Sequence, residues 1–413
     1  MRLITTLACA SLLGASSAMA ADVTLQVSYA GPILETMHKE IVQRFEAEHP
    51  GIKIALAPPV REYDELLQQT LRKAITGGMP DVAFFPLNRV SVLADRGLLQ
   101  PMDANLASDP AWKDLGYSEG ILPLGKFGNH QWSIPFQLST PVIFYNKQLT
   151  RAAGFDSFPD SWSGIEKLID TIHQSGKIGG HIDYDLPNNG AFQALVMGAG
   201  GDLMDPAKKE ITFDGPEGVA AIDLLRRFVD AGMVDMSRDQ ARQAFAAGTI
   251  GLQVSSSSIL GKLAQQIGDK FELGVAPLPV SAKNGRVPLG GSSAVILTKD
   301  TVKEKAAWEY IKFVIGPEGQ TISTKATGYI PLNDTAVKRA DLLGDFLKTN
   351  PNYSVAIAAK AHSAPVFEFP GENSVRISDE IRNCLQAAIN GKTSSTDTLA
   401  CMRSAVQRLV PQQ

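Results

Sequence analysis

Cysteine and histidine are scarce in this sequence, which limits metal and redox chemistry. Three cysteines and six histidines occur among 413 residues, and the histidines lie at no spacing typical of a metal site. The glycine-rich nucleotide loops, the H-E-x-x-H helix and the G-x-S-x-G elbow are also missing. We therefore expect no cofactor, no metal ion and no catalytic residue, which argues against an enzyme.

Long apolar runs are missing after the first twenty residues. No later segment offers the roughly twenty apolar residues that a membrane-spanning helix needs. Residues 1–20 begin with the basic Arg2, continue through an apolar run and end in Ala18-Met19-Ala20. This pattern is typical of a cleaved secretory signal. We expect a signal peptide at 1–20 and export of the mature chain to the periplasm.

Charge of one sign is not in large excess either. Without Arg2, 38 basic residues face 43 acidic residues, a formal charge of −5. This balance gives no indication of nucleic acid or of an anionic membrane as a partner. A chain of 413 residues is longer than one hydrophobic core usually supports, so two domains are expected.

Two cysteines, Cys384 and Cys401, remain outside the predicted signal. They lie in the helical patterns 381–389 and 397–409, which a turn-rich segment joins. A helical hairpin would place the thiols at similar heights, and an oxidising compartment would let them form a disulfide. Two buried thiols in the same hairpin fit the pattern almost as well, so both interpretations stay open.

Strands and helices alternate along the chain, which predicts an α/β fold. Residues 23–29 alternate as a strand, apolar residues recur at helical spacing from Ile33 to Phe45, and 52–56 form a second strand. This order calls for a parallel sheet with ligands near the carboxyl ends of its strands. A later strand, 248–254, ends in the serine run 255–258, which favours a binding role for Ser256.

Three segments are predicted to carry the chain between two lobes. In the first, 134–141, two prolines and a polar stretch precede a buried strand, and the hydroxyls of Ser139 and Thr140 are free to face a cleft. An ordinary loop before a strand is the alternative there. The other crossings are predicted at 276–279 and 328–333. The lobes that follow from these crossings are 21–137 with 279–330, and 138–278 with 331–413.

A series of short motifs in the sequence is similar to that of a known protein family. The motifs are, in order, Gly77-x-x-Pro80-Asp81-Val82, Leu98-Leu99-Gln100-Pro101, Tyr145-Asn146-Lys147, Ser161-Trp162, Phe245-x-x-Gly248, Gly290-Gly291, Ala307-Trp308-x-x-Ile311-Lys312-Phe313 and Gly328-Tyr329-x-Pro331. Together they resemble the extracellular solute-binding proteins, family 1, of ABC importers, which carry sugars and related polyols. The resemblance covers nearly the whole mature chain. It implies a type II, maltose-binding-protein-like fold, in which two discontinuous α/β lobes are joined by hinge strands.

Within that family, Pro135-Phe136-x-x-Ser139-Thr140-Pro141 and Arg376-Ile377-x-Asp379-Glu380 are most similar to the glycerol-3-phosphate-binding branch. The ligand-binding residues that this resemblance implies are Tyr63, Ser139, Ser256, Gly291, Tyr329 and Arg376. Arginine can donate a fork of hydrogen bonds to an oxyanion, serine and a glycine amide are small donors, and tyrosine supplies a hydroxyl and a flat face. The acidic residue that the branch carries after its third strand is missing, because this region reads Phe85-Pro86-Leu87-Asn88.

Each of these interpretations has a structural alternative. Arg376 can form a surface ion pair with Asp379 or Glu380, the two tyrosines can be packing residues, and the serine run can be a flexible connection. His181, Asp183 and Asp185 could form a metal site or a catalytic carboxylate pair. A segment with solvated acids is far commoner, since H-x-D-x-D lacks the remaining ligands at any recognised spacing.

The resemblance implies a periplasmic receptor that captures a sugar or polyol between its lobes. Glycerol 3-phosphate, a glycerophosphodiester, a phosphorylated or sulfonated sugar and a plain sugar all stay open as ligands. The implied partners are the permease subunits of an ABC importer, and we expect a monomer. A secreted hydrolase that acts on sugars or phosphate esters through Asp183 and Asp185 is the alternative from another class. A binding protein that serves a chemoreceptor would share the fold.

Overall fold

The structure, a computed structural model, describes residues 22–205, 210–371 and 373–411. The predicted signal peptide at 1–20 lies outside these residues. The first of two large sheets has six strands. Its order is Ser363–Pro365, Val287–Ile296, Val82–Pro86, Val23–Ser28 and Ile52–Leu56, and Ile134–Ser139 pairs in addition with Val287–Ile296. Among the described residues, no helix is both long and apolar enough to cross a membrane.

The second large sheet has four strands. Its order is Leu273–Pro277, Pro141–Asn146, Ile250–Ser256 and Ile178–Ile182. Two short strand pairs lie outside both sheets: Met204–Asp205 with Glu210–Ile211, and Lys126–Phe127 with His130–Gln131. Mixed helices and strands arranged as two sheets confirm the α/β class that the sequence predicts.

Helices of varied length cover the two sheets. They are Glu35–Glu48, Tyr63–Thr76, Val90–Ala94, Asp103–Ser108, Lys147–Ala152, Trp162–Gln174, Gly190–Gly198, Pro216–Asp230, Arg238–Ala246, Leu260–Ile267, Thr301–Ile315, Pro317–Thr327, Asp334–Lys338, Asp345–Thr349, Pro351–Ala359, Ser374–Ile389 and Ser395–Leu409. Side-chain caps define several starts: Ser161 accepts from the amide of Gly164, and Ser237 forms a capping box with Gln240.

The first sheet is built around the βαβ unit that the alternating pattern predicts. Val23–Ser28 runs parallel to both Ile52–Leu56 and Val82–Pro86. All five residues of Val82–Pro86 are buried, as expected of a strand that is covered on both faces. The carboxyl ends of these three strands therefore lie together at one edge of the sheet.

The chain passes from the first sheet to the second through a single residue, Thr140. Ile134–Ser139 pairs with the first sheet and Pro141–Asn146 with the second. The return is longer: the amides of Ser281 and Arg286 still donate to Gly198 and Met197, and the chain pairs with the first sheet again from Val287 to Ile296.

The segment predicted as the third crossing, 328–333, lies beside the first. The amide of Ile330 donates to the carbonyl of Leu138 over 2.8 Å, and Asp334 and Ser118 then tie the chain to the first-sheet side. Ser363–Pro365 later pairs with Val287–Leu289 before the terminal helices pack by the second sheet. The exact lobe boundaries at 137/138, 278/279 and 330/331 stay a prediction.

The terminal helices Ser374–Ile389 and Ser395–Leu409 form a hairpin that is closed by a disulfide between Cys384 and Cys401. The structure thus decides between the two interpretations that the sequence left open. Cys384 is buried, whereas Cys401 is exposed at the surface. The bond links two helices that also pack on helix Pro216–Asp230 through the second-sheet core.

We expect the Cys384→Ser/Cys401→Ser double variant to lose about 3 kcal/mol of unfolding free energy, because the open hairpin gains entropy in the unfolded chain. Urea denaturation at neutral pH would measure this loss. Treating the wild-type protein with a reductant should reproduce it. Equal stability of the reduced and oxidised forms would contradict a stabilising role.

His38 is a buried titratable group of the first-sheet core. Its ring is 1% exposed and packs against Tyr29, Phe84 and Phe136, with ring centroids 4.2, 5.0 and 6.1 Å away. Its Nδ1 atom has no hydrogen-bond partner among the described residues. Burial lowers the pKa of His38 to about 3, so the folded protein holds this ring neutral.

This burial predicts a loss of stability in mild acid. Between pH 6.5 and pH 3 the unfolded chain binds a proton at His38, whereas the folded protein does not. The free energy of unfolding therefore falls as pH falls. From pH 7 to pH 5 the loss is about 2 kcal/mol. Urea denaturation at both values measures it, and His38→Phe keeps an aromatic ring there without titrating. An equal pH dependence in both proteins would refute the assignment.

Candidate functional site

A cavity of about 750 Å³ lies between the two sheets. Its first wall comes from residues at the carboxyl ends of the parallel strands of the first sheet: 30–34, 61–63 and 86–88. Its second wall comes from 185–187, 256 and 258–259, at the carboxyl ends of the parallel strands of the second sheet. Carboxyl ends of parallel strands are where α/β folds collect ligands, and here both sheets point such ends at one space.

Five of the six residues that the sequence predicts as ligand contacts line this cavity together. They are Tyr63, Ser139, Ser256, Gly291 and Tyr329. A side chain at Gly291 would overlap the carbonyl of Gln137 on the paired strand, so only glycine allows this close approach of the two backbones. The binding role of the five residues stays a prediction, and a ligand that they contact would lie in this cavity.

Hydroxyl groups form a continuous chain along the cavity. The Ser256 hydroxyl donates to that of Ser139 over 3.1 Å, and the Ser256 and Ser258 hydroxyls are 2.8 Å apart. Ser258 also hydrogen-bonds with Tyr329, which hydrogen-bonds with Tyr63. Because hydroxyls can both donate and accept, this chain can pair with the hydroxyls of a polyol in either sense.

The two tyrosines of this chain keep their protons. Burial raises the pKa of Tyr329 well above its usual value, and the neighbouring Tyr63 raises it further. Burial also raises the pKa of Tyr63, against hydrogen bonds from Ser292 and Tyr329 that lower it. Both side chains therefore stay neutral and present hydroxyl donors to the cavity.

Arg376, the sixth predicted contact, is not part of the cavity lining. It lies exposed on helix Ser374–Ile389. Ser374, Ile377 and Ile381 are buried at helical spacing, and Ser374 accepts a hydrogen bond from Arg89 over 3.0 Å. That buried face turns position 376 toward solvent. Its anion-binding role stays a prediction.

Three other arginines line the cavity, and the sequence analysis did not single them out. They are Arg61, Arg238 and Arg242. Arg238 and Arg242 are one helical turn apart on Arg238–Ala246, a spacing that places both side chains on one face. This spacing, on a helix that leads into the strand before the serine run, is the signal that could have identified them.

Arg238 forms an ion pair across the cavity. Its guanidinium donates to Glu62 over 2.8 Å from the first-sheet side and to Asp185 over 3.3 Å from its own side. Burial lowers the pKa of Arg238, but the charges of Glu62 and Asp185 outweigh burial and raise it overall. Arg61 and Asp239 approach to 4.0 Å beside this pair. These contacts link the two sides at the cavity.

Asp183 and Asp185 do not form an exposed carboxylate pair. Asp183 is fully buried, and its carboxylate accepts hydrogen bonds from Ser255 over 2.5 Å and from Gln253 over 2.8 Å. Burial tends to raise the pKa of Asp183, but His181, Arg242 and Ser255 together lower it. In the part of the chain that the structure describes, no group of three or more His, Cys, Asp or Glu residues is arranged to hold a metal ion.

Comparison with known families and curated proteins gives consistent matches. The family model described as bacterial extracellular solute-binding protein matches residues 40–354. A putative binding protein of Brucella abortus (strain 2308) is 22% identical over 394 residues, which are 92% of this chain and 90% of the relative. The sn-glycerol-3-phosphate-binding periplasmic protein UgpB of Escherichia coli O1:K1 is 24% identical over 347 residues, 79% of this chain and 77% of the relative.

Solved structures match the whole fold. UgpB from Mycobacterium tuberculosis, determined in complex with glycerophosphocholine, superposes with a TM-score of 0.81 at 22% identity, covering 94% of this chain and 98% of that chain. The GacH receptor of Streptomyces glaucescens gives 0.80 at 20% identity, covering 95% and 99%. Maltose-bound MalE3 of T. maritima gives 0.79 at 20% identity, covering 95% and 100%. The maltose-binding-protein-like fold that the motifs implied is confirmed.

The ion pair between Glu62 and Arg238 links the two sides of the cavity, so we expect salt to weaken the arrangement in which the two sides are close together. The pair is partly exposed, so its contribution is about 1 kcal/mol or less. We expect Glu62→Gln to increase the radius of gyration of the ligand-free protein in 50 mM salt, because one link across the cavity is lost. Small-angle X-ray scattering would measure the change.

Two controls separate this effect from a general loss of charge. Glu48→Gln removes one exposed acid at the end of helix Glu35–Glu48 and should leave the radius unchanged. The wild-type protein in 1 M salt should approach the Glu62→Gln value, because salt screens exposed charges. A radius that responds to neither the variant nor the salt would show that the pair does not hold the two sides together.

Proposed function

We propose that this chain, which belongs to the bacterial extracellular solute-binding protein family, is the solute-capturing component of an ABC importer. In this proposal it binds a sugar or polyol-type solute in the cavity between its two sheets and releases it, chemically unchanged, to the permease subunits in the membrane. The proposal places the mature protein in the periplasm.

The single observation that carries the proposal is the position of the hydroxyl chain. Ser139 belongs to a strand of the first sheet and Ser256 to a strand of the second, and their hydroxyls meet over 3.1 Å at the cavity. A solute that bonds to both serines contacts both sides of the molecule at once. Such a solute stabilises the closed arrangement over the open one, which is the differential affinity that closure requires.

The relatives support a polyol-type solute but not one compound. They include a binding protein for sn-glycerol 3-phosphate and receptors that were solved in complex with glycerophosphocholine and with acarbose. The cavity is lined by serine hydroxyls, by Tyr63 and Tyr329, and by arginine side chains. These groups suit ligand hydroxyls and an anionic substituent.

The hydrolase alternative receives no support from the arrangement of its two carboxylates. Asp183 is buried beneath Ser255 and Gln253, and Asp185 is paired with Arg238. A pair of hydrolytic carboxylates needs both groups beside the substrate.

The proposal predicts that solutes bind one to one and stabilise the protein without being converted. We expect a compound from a panel of sn-glycerol 3-phosphate, glycerophosphocholine, phosphorylated sugars, glucose and maltose to raise the melting temperature. At a hundred times its Kd a ligand adds about 2.7 kcal/mol, which corresponds to several degrees. Differential scanning fluorimetry and calorimetry would measure stabilisation and stoichiometry.

A matched variant links the effect to the cavity. Ser256→Ala removes a hydroxyl that the proposal uses, and Ser395→Ala removes one that binds Asp223 at the surface. The first should weaken binding and the second should not. Conversion of the bound compound, followed by chromatography, would favour the hydrolase, and lack of stabilisation by every compound would refute the proposal for these solute classes.

A further inference from the structure

Three polar side chains of the cavity lining carry a buried atom that has no hydrogen-bond partner among residues 22–205, 210–371 and 373–411. The atoms are Arg242 Nε, Asn88 Nδ2 and Thr140 Oγ1. Arg242 Nε and Asn88 Nδ2 can only donate, and the Thr140 hydroxyl can donate as well. Unpaired buried donors are costly, so native proteins usually satisfy them. These three donors have no acceptor among the described residues.

The charge of Arg242 is also less engaged than that of its neighbour on the same helix. Arg238 is held between two carboxylates, at 2.8 Å from Glu62 and 3.3 Å from Asp185. Within the described part of the chain Arg242 forms an ion pair with one carboxylate, Asp239, at 3.5 Å, and that carboxylate is 67% exposed. The Arg242 side chain itself is 17% exposed. Its Nε atom thus keeps a donor for another group.

Arg242 lies where a solute would meet it. Its charge acts on the Tyr329 hydroxyl, which hydrogen-bonds with Tyr63 and Ser258. An oxyanion on Arg242 would therefore lie next to the hydroxyl chain that suits the hydroxyls of the same molecule. Arginine is the side chain best suited to this task, because its planar fork matches the oxygens of a phosphate or carboxylate.

Resting on the function proposed above, we propose that the solute carries an oxyanion and that Arg242 binds it. Thr140 and Asn88 supply further donors to the same acceptor-rich solute. The ligand is thus a polyol with a phosphate ester or carboxylate group, rather than a neutral sugar. This assignment gives Arg242 the role that the sequence resemblance implied for Arg376.

A structural role for Arg242 predicts something different. Its charge also acts on the buried Asp183, whose carboxylate is held by Ser255 and Gln253. If Arg242 served only as a counter-charge to Asp183, its loss would lower stability and leave the affinity for every solute unchanged. Thermal denaturation of each variant without ligand separates that effect from binding.

The test compares charged and neutral forms of similar solutes by isothermal titration calorimetry. The probes are sn-glycerol 3-phosphate with glycerol, glucose 1-phosphate and glucuronate with glucose, and glycerophosphocholine. The variants are Arg242→Gln, which loses the charge, and Arg242→Lys, which keeps a charge near Asp183 but loses the fork. Arg376→Gln tests the competing assignment. Arg44→Gln, which changes an exposed arginine of helix Glu35–Glu48, is the matched control.

We expect at least one charged probe to bind more tightly than its neutral counterpart. Arg242→Gln should weaken that binding about 10- to 100-fold, the range of a charge-assisted hydrogen bond. Arg242→Lys should weaken it less, and Arg44→Gln and Arg376→Gln should leave it within about twofold. Affinity should also fall at high salt. The phosphate and carboxylate arms show which oxyanion the site prefers.

Other results would overturn the assignment. Binding of neutral solutes alone, unaffected by Arg242→Gln, would refute the oxyanion and leave the proposed function intact. Weakening by Arg376→Gln with no effect of Arg242→Gln would place the anion contact elsewhere. If no probe of either kind binds to the folded wild-type protein, the proposed function fails for these solutes and the role of Arg242 fails with it.

Discussion

The structure depends on one geometric constraint: parallel strands in both sheets must end at the same gap. Val23–Ser28, Ile52–Leu56 and Val82–Pro86 run parallel in the first sheet, as do Ile178–Ile182 and Ile250–Ser256 in the second. A parallel strand needs a crossover connection, so its carboxyl end always feeds a loop or a helix start. Two such edges that face each other make a cavity lined by loops and helix starts from two independent frameworks.

The first link between these frameworks is short. Ser139 pairs in one sheet, Pro141 pairs in the other, and Thr140 alone lies between them. Proline removes a backbone donor and fixes φ, so a rotation about this joint is confined to very few dihedral angles. The same three residues line the cavity. A change in the angle between the sheets would therefore also move these cavity-lining residues and change their contacts with a ligand.

The electrostatics of the cavity divide into contacts that the protein satisfies itself and donors that it leaves unsatisfied. Arg238 pairs with both Glu62 and Asp185, so this group links the two sides and supplies no excess positive charge for a solute. Arg242, Thr140 and Asn88 each keep one atom without a hydrogen-bond partner among the residues that the structure describes. An enclosed site with unpaired donors favours solutes that carry hydrogen-bond acceptors, because a solute without acceptors leaves those donors unpaired.

Much of this protein could be predicted from the order of its residues. The alternation of residues 23–29, the helical spacing that follows and the strand 52–56 depend on local periodicity, and each element formed within a few residues of its predicted bounds. The motifs indicated the fold, and five of the six predicted site residues line one cavity. Ser139 and Ser256 end strands, as the pattern specifies, whereas Gly291 lies within a strand and the two tyrosines lie at helix ends. What the sequence could not determine was which face of helix Ser374–Ile389 meets solvent, or that Arg242 lies inside. Those facts depend on how each helix is rotated about its axis when distant segments pack together. An example is the hydrogen bond from Arg89 to Ser374, which are 285 positions apart. Tertiary contacts alone decide that rotation, because helical periodicity fixes which residues share a face but not what that face will meet.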